Sequence, residues 1–291
     1  MFQGSLVALV TPMTPDLAVD YAGLERLIEH HIQAGTDGLV IAGTTGESAT
    51  LAKGEHIEVI RRACEIVAGR LPVIAGTGSN STAQTIELSQ AVDALPVDAY
   101  LVVTPYYNKP TQEGLYQHFT AIADAVAKPV MLYNVPGRTA VDLLPETVAR
   151  LAQHDNIFGI KEATGDLSRV TEIKSACGDD FMLYSGDDAT AREFMLLGGH
   201  GVVSVTSNVA PTQMHAMCKA AIAGNADEAA QLDAPLSALH NDLFVESNPI
   251  PVKWAVAQLG LCDGYLRLPL TELSESARPV VQAALDQAAA G

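Results

Sequence analysis

The chain has 291 residues and the composition of a folded globular protein, with 48% hydrophobic and 18% charged residues. This length accommodates one large α/β barrel or two ordinary domains. A formal net charge of −17 argues against a nucleic-acid partner and against a basic membrane-binding face, because both need clustered lysines and arginines.

Eight short apolar runs recur along the chain, and the intervals between them are long enough for one helix each. Such alternation is typical of βα units in a parallel sheet. Eight parallel strands with seven crossovers predict an α/β fold, a closed (β/α)8 TIM barrel, rather than an open doubly wound sheet. The runs lie at residues 6–10, 38–42, 72–75, 99–104, 129–133, 157–161, 181–184 and 201–205. The first helix between them is bounded by Asp20, suited to its N-cap, and by Gly35 after its end.

Strand patterns stop after about residue 211, and the rest of the chain is predicted to be helical. The predicted helices are interrupted at Gly224, Pro235, Asn248, Gly260 and Pro269. Only the first of them can be the eighth helix of the barrel. We therefore divide the chain into a catalytic barrel at residues 1–224 and a C-terminal helical region at residues 225–291, which packs on the barrel or carries a subunit contact.

Lys161 ends the sixth apolar run and leaves hydrophobic surroundings there. A lone lysine in such a place usually packs its stem and extends its ammonium group into water. An amine that loses hydration, however, has a neutral and nucleophilic fraction, as a Schiff-base lysine requires. The residues at neighbouring strand ends favour the second interpretation.

In a (β/α)8 barrel the chemistry collects at the carboxyl ends of the strands. Tyr133 ends the fifth run, one strand from Lys161, and is expected to lie within proton-transfer reach of the lysine amine. Gly159 shares a strand face with Lys161 and is expected to leave room for the lysine stem.

Two features of the same rim suit carboxylate groups. The loop at residues 43–47, Gly-Thr-Thr-Gly-Glu, presents backbone N–H groups and two hydroxyls, and it lacks the lysine and spacing of a nucleotide-binding P-loop. Arg138, in a Pro-Gly-Arg turn, offers a planar fork for a second carboxylate.

A metal-dependent aldolase is the main chemical alternative, and it would need His, Asp or Glu ligands at this rim. The eight histidines are scattered, and the pair Asp187 and Asp188 is interpreted as a solvated turn. We expect neither a metal nor an organic cofactor.

These motifs resemble the dihydrodipicolinate synthase family, within the pyruvate-dependent class I aldolases that include N-acetylneuraminate lyase. The resemblance runs from residue 2 to about residue 270. The segments that carry it are residues 43–47, 105–110, 133–139, 159–166 and 248–253.

The resemblance implies that Lys161 forms an imine with pyruvate and that Tyr133 acts as general acid and base. A proton relay would run from Tyr133 through Thr44 to Tyr107. In this family the tyrosine at the position of Tyr107 is lent by a neighbouring subunit. The resemblance therefore implies a homo-oligomer, a dimer or a tetramer of dimers.

Thr45 would hold the pyruvate carboxylate and Arg138 that of L-aspartate 4-semialdehyde, while Gly186 and Val203 would line the pocket. The implied reaction is the entry step of lysine and diaminopimelate biosynthesis, a lyase reaction that condenses pyruvate with the semialdehyde to give 4-hydroxy-tetrahydrodipicolinate.

Several members of the family are inhibited by lysine in a cleft at a subunit interface. The chain matches them at five positions, Ser48, Ala49, His56, Asn80 and Tyr106. It departs at Lys53 and Gln84, where lysine-sensitive members carry histidine and glutamate. A cationic ligand would thus lose a carboxylate and meet a like charge, so we expect weak or absent inhibition by lysine.

Two alternatives stay open. A sibling aldolase would cleave a sugar acid, such as N-acetylneuraminate or a 2-keto-3-deoxy acid, with the same lysine chemistry. A non-catalytic small-molecule sensor on the same barrel would be expected to lack Lys161, Tyr133 or the relay.

A cytoplasmic location is expected from three features of the sequence. The N-terminus lacks a basic segment followed by a long apolar core, and no run of residues is apolar enough to span a membrane. The four cysteines are far apart and form no C-x-x-C pair, which fits buried thiols in a reducing compartment.

Overall fold

The computed structural model, which describes residues 2–290, contains eight parallel strands that close into a barrel in chain order. Strand β1 pairs with both β2 and β8, which closes the ring. The strands are β1 Gly4–Ala8, β2 Gly38–Ile41, β3 Val73–Gly76, β4 Ala99–Val103, β5 Val130–Asn134, β6 Ile157–Glu162, β7 Met182–Ser185 and β8 Gly201–Ser204. The predicted TIM barrel is confirmed, and each predicted run overlaps one strand.

The first strand shows the largest offset from its prediction. It begins at Gly4 rather than at residue 6, because Gly4 and Ser5 pair with β8 although neither has an apolar side chain. Apolar runs identify the strands, but backbone pairing decides where they begin.

Helices follow the strands and surround the barrel. They are α1 Tyr21–Ala34, α2 Lys53–Val67, α3 Thr82–Val92, α4 Gln112–Ala125, α5 Pro136–Thr139, α6 Pro145–Leu151, α7 Ser168–Cys177, α8 Ala191–Leu196, α9 Pro211–Ile222, α10 Ala226–Asp233, α11 Ser237–Asp242, α12 Ile250–Gln258 and α13 Arg278–Ala290. Single 3-10 turns lie at Ser48–Thr50, Asp188–Thr190, Thr206–Asn208 and Ala234–Leu236.

The predicted boundaries of the first helix are confirmed. The Asp20 side chain accepts a hydrogen bond from the Gly23 N–H at 2.9 Å, and Gly35 ends α1 in the left-handed conformation. The polar cap and the glycine satisfy the free backbone groups at the two ends of the helix.

The apolar residues divide into two layers on either side of the sheet. One layer fills the barrel itself and includes Leu6, Leu101, Met131 and Tyr184. The larger layer lies between the strands and the surrounding helices. Because successive side chains of a strand alternate between these layers, every second residue at the upper end of a strand faces the barrel axis.

The residues after α9 form helices that pack on the outside and the upper end of the barrel. Helix α10 lies against α9, and α12 lies against the 3-10 turn that follows β8. The segment between α11 and α12 reaches the carboxyl ends of the strands, where it borders the site described below. Within residues 2–290, no helix is both long enough and apolar enough to cross a membrane.

Candidate active site

A cavity of about 140 Å³ opens at the carboxyl ends of the strands. Its wall contains four of the residues singled out from the sequence, Thr44, Thr45, Tyr133 and Lys161. Arg138 and Gly186 also border it. The barrel thus brings the predicted lysine, tyrosine, arginine and carboxylate loop to one concave site.

Lys161 and Tyr133 are direct neighbours across two paired strands. The register places Tyr133 of β5 opposite Lys161 of β6. The Lys161 Nζ atom lies 4.2 Å from the centroid of the Tyr133 ring, and only 7% of the lysine surface is exposed. Burial removes water from the amine while leaving it open to the cavity, which suits attack on a small carbonyl compound.

Room for the lysine stem is provided by Gly186. A Cβ atom at this position would lie 2.9 Å from Lys161 Cε and 3.1 Å from Lys161 Cγ. The expectation that Gly159 has this role is wrong, since a Cβ atom there would meet the Met182 carbonyl oxygen at 2.3 Å. Gly159 is needed for the close approach of β7, and Gly186 for the lysine.

The ends of β5 and β6 are also tied together on the outer face of the barrel. The Asn134 Nδ2 atom donates to Glu162 Oε2 at 3.1 Å, and the Thr164 N–H donates to Glu162 Oε1 at 2.9 Å. Burial raises the pKa of the Glu162 carboxyl group above its ordinary value. Asn134 and Glu162 directly follow Tyr133 and Lys161, so this contact fixes the relative position of the two strand ends.

The loop at residues 43–47 is anchored at several points. Thr11 Oγ1 donates to the Gly46 carbonyl oxygen at 2.7 Å. Glu47 has a left-handed backbone and forms a fully buried ion pair with Lys253 of α12. Thr45 is buried, and its Oγ1 accepts a hydrogen bond from Asn248 Nδ2 at 3.0 Å. A carboxylate would therefore meet donors that are already fixed in place.

Arg138 lies at the cavity mouth, in the short helix α5. The residue is exposed, and its Nη2 atom donates to the Asn248 carbonyl oxygen at 3.2 Å. This single contact leaves donors of the planar guanidinium fork available to a ligand.

Tyr107 lies outside the cavity and is 89% exposed, with a backbone φ of 75°. A left-handed backbone is unfavourable for a bulky residue by about 1–2 kcal/mol. An exposed aromatic side chain held in a strained turn is a feature often found where function requires it.

Val203 and Asp187 differ from their predicted surroundings. Val205, rather than Val203, borders the cavity, because Val203 lies one layer deeper among the residues that fill the barrel. The expectation of a solvated turn is wrong for Asp188, whereas Asp187 is partly exposed. Asp188 is buried and accepts from the Val205 and Thr206 N–H groups at 2.8 and 3.0 Å, while Asp187 borders the cavity.

Phe244 and Asn248, which both precede α12, are cavity residues that were not assigned a role from the sequence. Phe244 borders the mouth, and Asn248 borders the carboxylate loop. Asn248 begins one of the family segments and marks a helix break, so the sequence held a signal for it. Phe244 gave none, because its position depends on how the C-terminal helices pack.

The residues expected to form a lysine cleft lie around the starts of α2 and α3. Lys53 forms an ion pair with Glu87, a residue not singled out from the sequence. His56 Nε2 contacts the Gly76 carbonyl oxygen at 2.7 Å, and Asn80 Nδ2 donates to the Tyr106 carbonyl oxygen at 3.2 Å.

The other cleft residues lie close by. Gln84 accepts from the Ser79 hydroxyl at 3.2 Å, and Ser48 and Ala49 form the 3-10 turn just before α2. The positions expected to form the cleft therefore carry a paired cation, Lys53, and a neutral amide, Gln84.

No group of three or more His, Cys, Asp or Glu side chains among residues 2–290 is arranged to hold a metal ion. All four cysteines are free. Burial raises the pKa of the Cys64 and Cys262 thiols to about 11, so these thiols are poor nucleophiles and poor metal ligands at neutral pH.

Comparison with known proteins gives a consistent result. The sequence model of the dihydrodipicolinate synthetase family matches residues 1–288. The chain is 60% identical over 288 residues to 4-hydroxy-tetrahydrodipicolinate synthase of Methylococcus capsulatus, covering 99% of both chains. It is 59% identical over 287 residues to the enzyme of the same name from Alcanivorax borkumensis, covering 99% of this chain and 98% of the relative.

Solved structures agree with the sequence relatives. The chloride-inhibited dihydrodipicolinate synthase of Acinetobacter baumannii, complexed with pyruvate, is 53% identical and superposes with a TM-score of 0.98 over 99% of both chains. The enzyme of Cyanidioschyzon merolae with lysine bound is 43% identical, with a TM-score of 0.96, and the match covers 99% of this chain and 98% of that one.

Proposed function

The chain belongs to the dihydrodipicolinate synthetase family, and from this premise we propose that it is a 4-hydroxy-tetrahydrodipicolinate synthase, a class I aldolase-type lyase that condenses pyruvate with L-aspartate 4-semialdehyde. The observation that carries this proposal is the buried Lys161 amine over the Tyr133 ring, in a small cavity that also holds Thr45 and Arg138.

The reaction begins with attack of the Lys161 amine on the carbonyl carbon of pyruvate. One water molecule leaves, and an imine remains. Thr45 and the backbone N–H groups of its loop hold the pyruvate carboxylate. Tyr133 supplies and removes protons at the reacting carbon through its hydroxyl group, since its ring lies 4.2 Å from the lysine nitrogen. Loss of a methyl proton then gives an enamine, with the protonated imine as electron sink.

The enamine carbon attacks the aldehyde carbon of the semialdehyde, whose carboxylate is bound by Arg138 at the mouth. The amine of the semialdehyde then displaces the Lys161 amine from the imine. This transimination closes the six-membered ring and releases 4-hydroxy-tetrahydrodipicolinate with the lysine restored. Gly186 keeps the space that the lysine stem occupies throughout these steps.

The active unit is proposed to be at least a dimer, and the assembly a homotetramer built as a dimer of dimers. Tyr107 supports this part of the proposal because it is exposed and lies outside the cavity of its own chain. It would enter the cavity of a neighbouring subunit and complete a relay from Tyr133 through Thr44. The helical region from residue 225 completes the catalytic barrel at residues 1–224 by supplying Phe244 and Asn248.

The reaction belongs to lysine and diaminopimelate biosynthesis, and we place it in the cytoplasm, where its substrates are small metabolites. Feedback inhibition by lysine is expected to be weak or absent. Lys53 is already paired with Glu87, and Gln84 offers no carboxylate to a cationic ligand. An inhibition constant for lysine in the sub-millimolar range would contradict this expectation.

The proposal is tested by measuring pyruvate consumption with three aldehydes in parallel: aspartate semialdehyde, N-acetylmannosamine and glyceraldehyde. Borohydride is added to a second set of samples to trap the imine, which mass spectrometry then locates. Lys161→Ala serves as the control. We expect turnover with aspartate semialdehyde, and a pyruvate adduct on Lys161 that the control lacks.

Turnover with only a sugar aldehyde would support imine chemistry at Lys161 but contradict aspartate semialdehyde as the substrate. Trapping without turnover on any aldehyde would overturn the synthase activity. The absence of both would overturn the whole proposal.

A further inference from the structure

We propose that Asn248 is a positioning residue that orients the Thr45 hydroxyl toward the substrate carboxylate and links this hydroxyl to the arginine at the cavity mouth. This inference rests on the proposed function, since it concerns how the same cavity binds pyruvate.

The side chain of Asn248 determines the direction of the Thr45 hydroxyl. Asn248 Nδ2 donates to Thr45 Oγ1 at 3.0 Å. A hydroxyl has one proton to donate, and this proton is not taken up by Asn248, because Asn248 is the donor. The Thr45 proton therefore stays available to a carboxylate in the cavity, which both residues border.

The backbone of Asn248 makes the second contact. Its carbonyl oxygen accepts from Arg138 Nη2 at 3.2 Å. Asn248 thus contacts both residues that are proposed to bind substrate carboxylates. Its side chain contacts Thr45, and its backbone carbonyl oxygen contacts Arg138. Substitution of the side chain removes the first contact and leaves the second in place.

The Oδ1 atom of Asn248 indicates that this side chain serves the site rather than the stability of the fold. Asn248 is 94% buried, with 6% of its surface exposed. Its Oδ1 atom makes no hydrogen bond within residues 2–290. Buried polar atoms without a partner are rare in folded proteins, and this one belongs to a residue of the cavity wall.

Neighbouring contacts fix Asn248 against the loop. Lys253, one turn into α12, forms the buried ion pair with Glu47, and Arg267 donates its backbone N–H to Glu47 Oε1 at 3.1 Å. Helix α12, which follows Asn248, is therefore held to the carboxylate loop at Glu47, two residues from Thr45, and this second contact restricts the position of the Asn248 amide.

The test measures the pyruvate concentration that gives half-maximal borohydride trapping, in a double-mutant cycle of Asn248→Ala and Thr45→Val. We expect Asn248→Ala alone to raise this concentration about tenfold, the usual effect of losing a hydrogen bond that serves a charged group. In the Thr45→Val background, Asn248→Ala should change the half-maximal pyruvate concentration less than about twofold, because the hydroxyl that Asn248 orients is absent.

Two further variants sharpen the result. Asn248→Asp keeps the shape but can only accept, so it should take up the Thr45 proton and weaken trapping at least as much as Asn248→Ala. Asn156→Ala is the matched control: Asn156 donates to three backbone carbonyl oxygens at the opposite end of the barrel, those of Ala123, Val126 and Lys128. It should lower thermal stability without changing the pyruvate concentration.

The Michaelis constant for the aldehyde provides an internal check. It should change less than about threefold in Asn248→Ala, because the backbone contact with Arg138 persists. Additive effects of the two substitutions, or an unchanged pyruvate concentration in Asn248→Ala, would overturn the inference alone. Wild-type protein that traps no pyruvate would overturn the proposed function instead. If Asn248→Ala fails to fold, Asn248→Asp is tested in its place.

Discussion

Lys161 depends on a glycine that lies in a different strand-end loop. Gly186 follows β7, and a Cβ atom there would lie within 3.1 Å of two carbon atoms of the lysine stem. Real Cβ atoms essentially never approach other atoms as closely as the shorter of these distances, 2.9 Å. The reactive amine can therefore occupy its position only because residue 186 has no side chain.

Substitution of Gly186 by alanine should displace the lysine stem without unfolding the barrel. Gly186 has no left-handed φ that would strain an alanine, so the effect is confined to steric clashes, with the lysine stem and, at 2.5 Å, with the Ala163 Cβ atom. We expect imine formation with pyruvate to fall about tenfold or more, since small displacements of reacting groups have effects of this size or larger. Rapid-quench borohydride trapping would measure the rate.

Gly54→Ala is the control for this experiment, because nothing lies within 4 Å of its Cβ position. This control should trap pyruvate at the wild-type rate. Equal rates in Gly186→Ala and Gly54→Ala would show that the stem can move without loss of function.

At the residue scale, strand period and the chemistry of barrel rims were sufficient to predict that Lys161, Tyr133 and Arg138 meet. The role of Gly186 could not be predicted, because it depends on a contact between β6 and the loop after β7. The choice of Val205 over Val203 depends on how deep the cavity reaches, and alternation along the strand leaves both residues on the same side.

At the scale of elements, the loop at residues 43–47 is bonded directly to helix α12. Their contact includes the buried ion pair of Glu47 and Lys253, both with fully buried side chains. Burial lowers the pKa of Lys253, while the neighbouring Glu47 charge opposes this effect. Removing one partner of such a pair leaves an uncompensated buried charge.

Lys253→Met should therefore destabilise the protein by about 3–5 kcal/mol, as measured by urea unfolding. The double variant Lys253→Met with Glu47→Gln should recover most of this loss, because no charge then remains unpaired. A double variant no more stable than Lys253→Met would show that the free energy is lost through packing rather than charge.

The sequence was sufficient to locate all eight strands and the helix breaks near Gly224, Pro235 and Gly260. It did not indicate that α12 closes over the loop after β2. Hydrophobic periodicity indicates only how a short segment of the chain folds. The contact between Glu47 and Lys253 joins residues 206 positions apart, so such local patterns could not predict it.

At the scale of the whole molecule, the proposed exchange of Tyr107 between subunits allows a complementation experiment. Tyr107→Phe and Lys161→Ala should each be nearly inactive alone. After mixing and subunit exchange, half of the dimers are hybrids, and each hybrid has one site with both residues intact. We expect about a quarter of the wild-type activity to return, as a symmetric two-fold arrangement predicts.

The control for complementation is the double variant with both substitutions in one chain, mixed with Lys161→Ala. No intact site can form in this mixture, so it should stay inactive. Full activity of Tyr107→Phe alone would rule out the relay through Tyr107.

Acid stability is a second property of the whole molecule. Burial lowers the pKa of His31 from 6.5 to about 3, so the folded protein keeps this side chain neutral while the unfolded chain takes up a proton. The stability contributed by neutral His31 is present above pH 6.5 and is lost as the pH falls toward 3. The loss should reach about 2 kcal/mol at roughly pH 5.

Urea unfolding at neutral pH and at roughly pH 5 would measure this dependence. In His31→Asn the difference between the two conditions should be smaller by about the same 2 kcal/mol. An unchanged difference would assign the acid sensitivity to other groups, such as His118, whose pKa burial lowers to about 4.

The contact between Glu47 and Lys253 also has a consequence for how the protein is made. During translation the carboxylate loop leaves the ribosome 206 residues before the lysine that neutralises its buried glutamate. N-terminal segments can fold as soon as they emerge, but this loop has no charged partner until the chain is almost finished. The nascent barrel should therefore become able to bind pyruvate only near the end of synthesis.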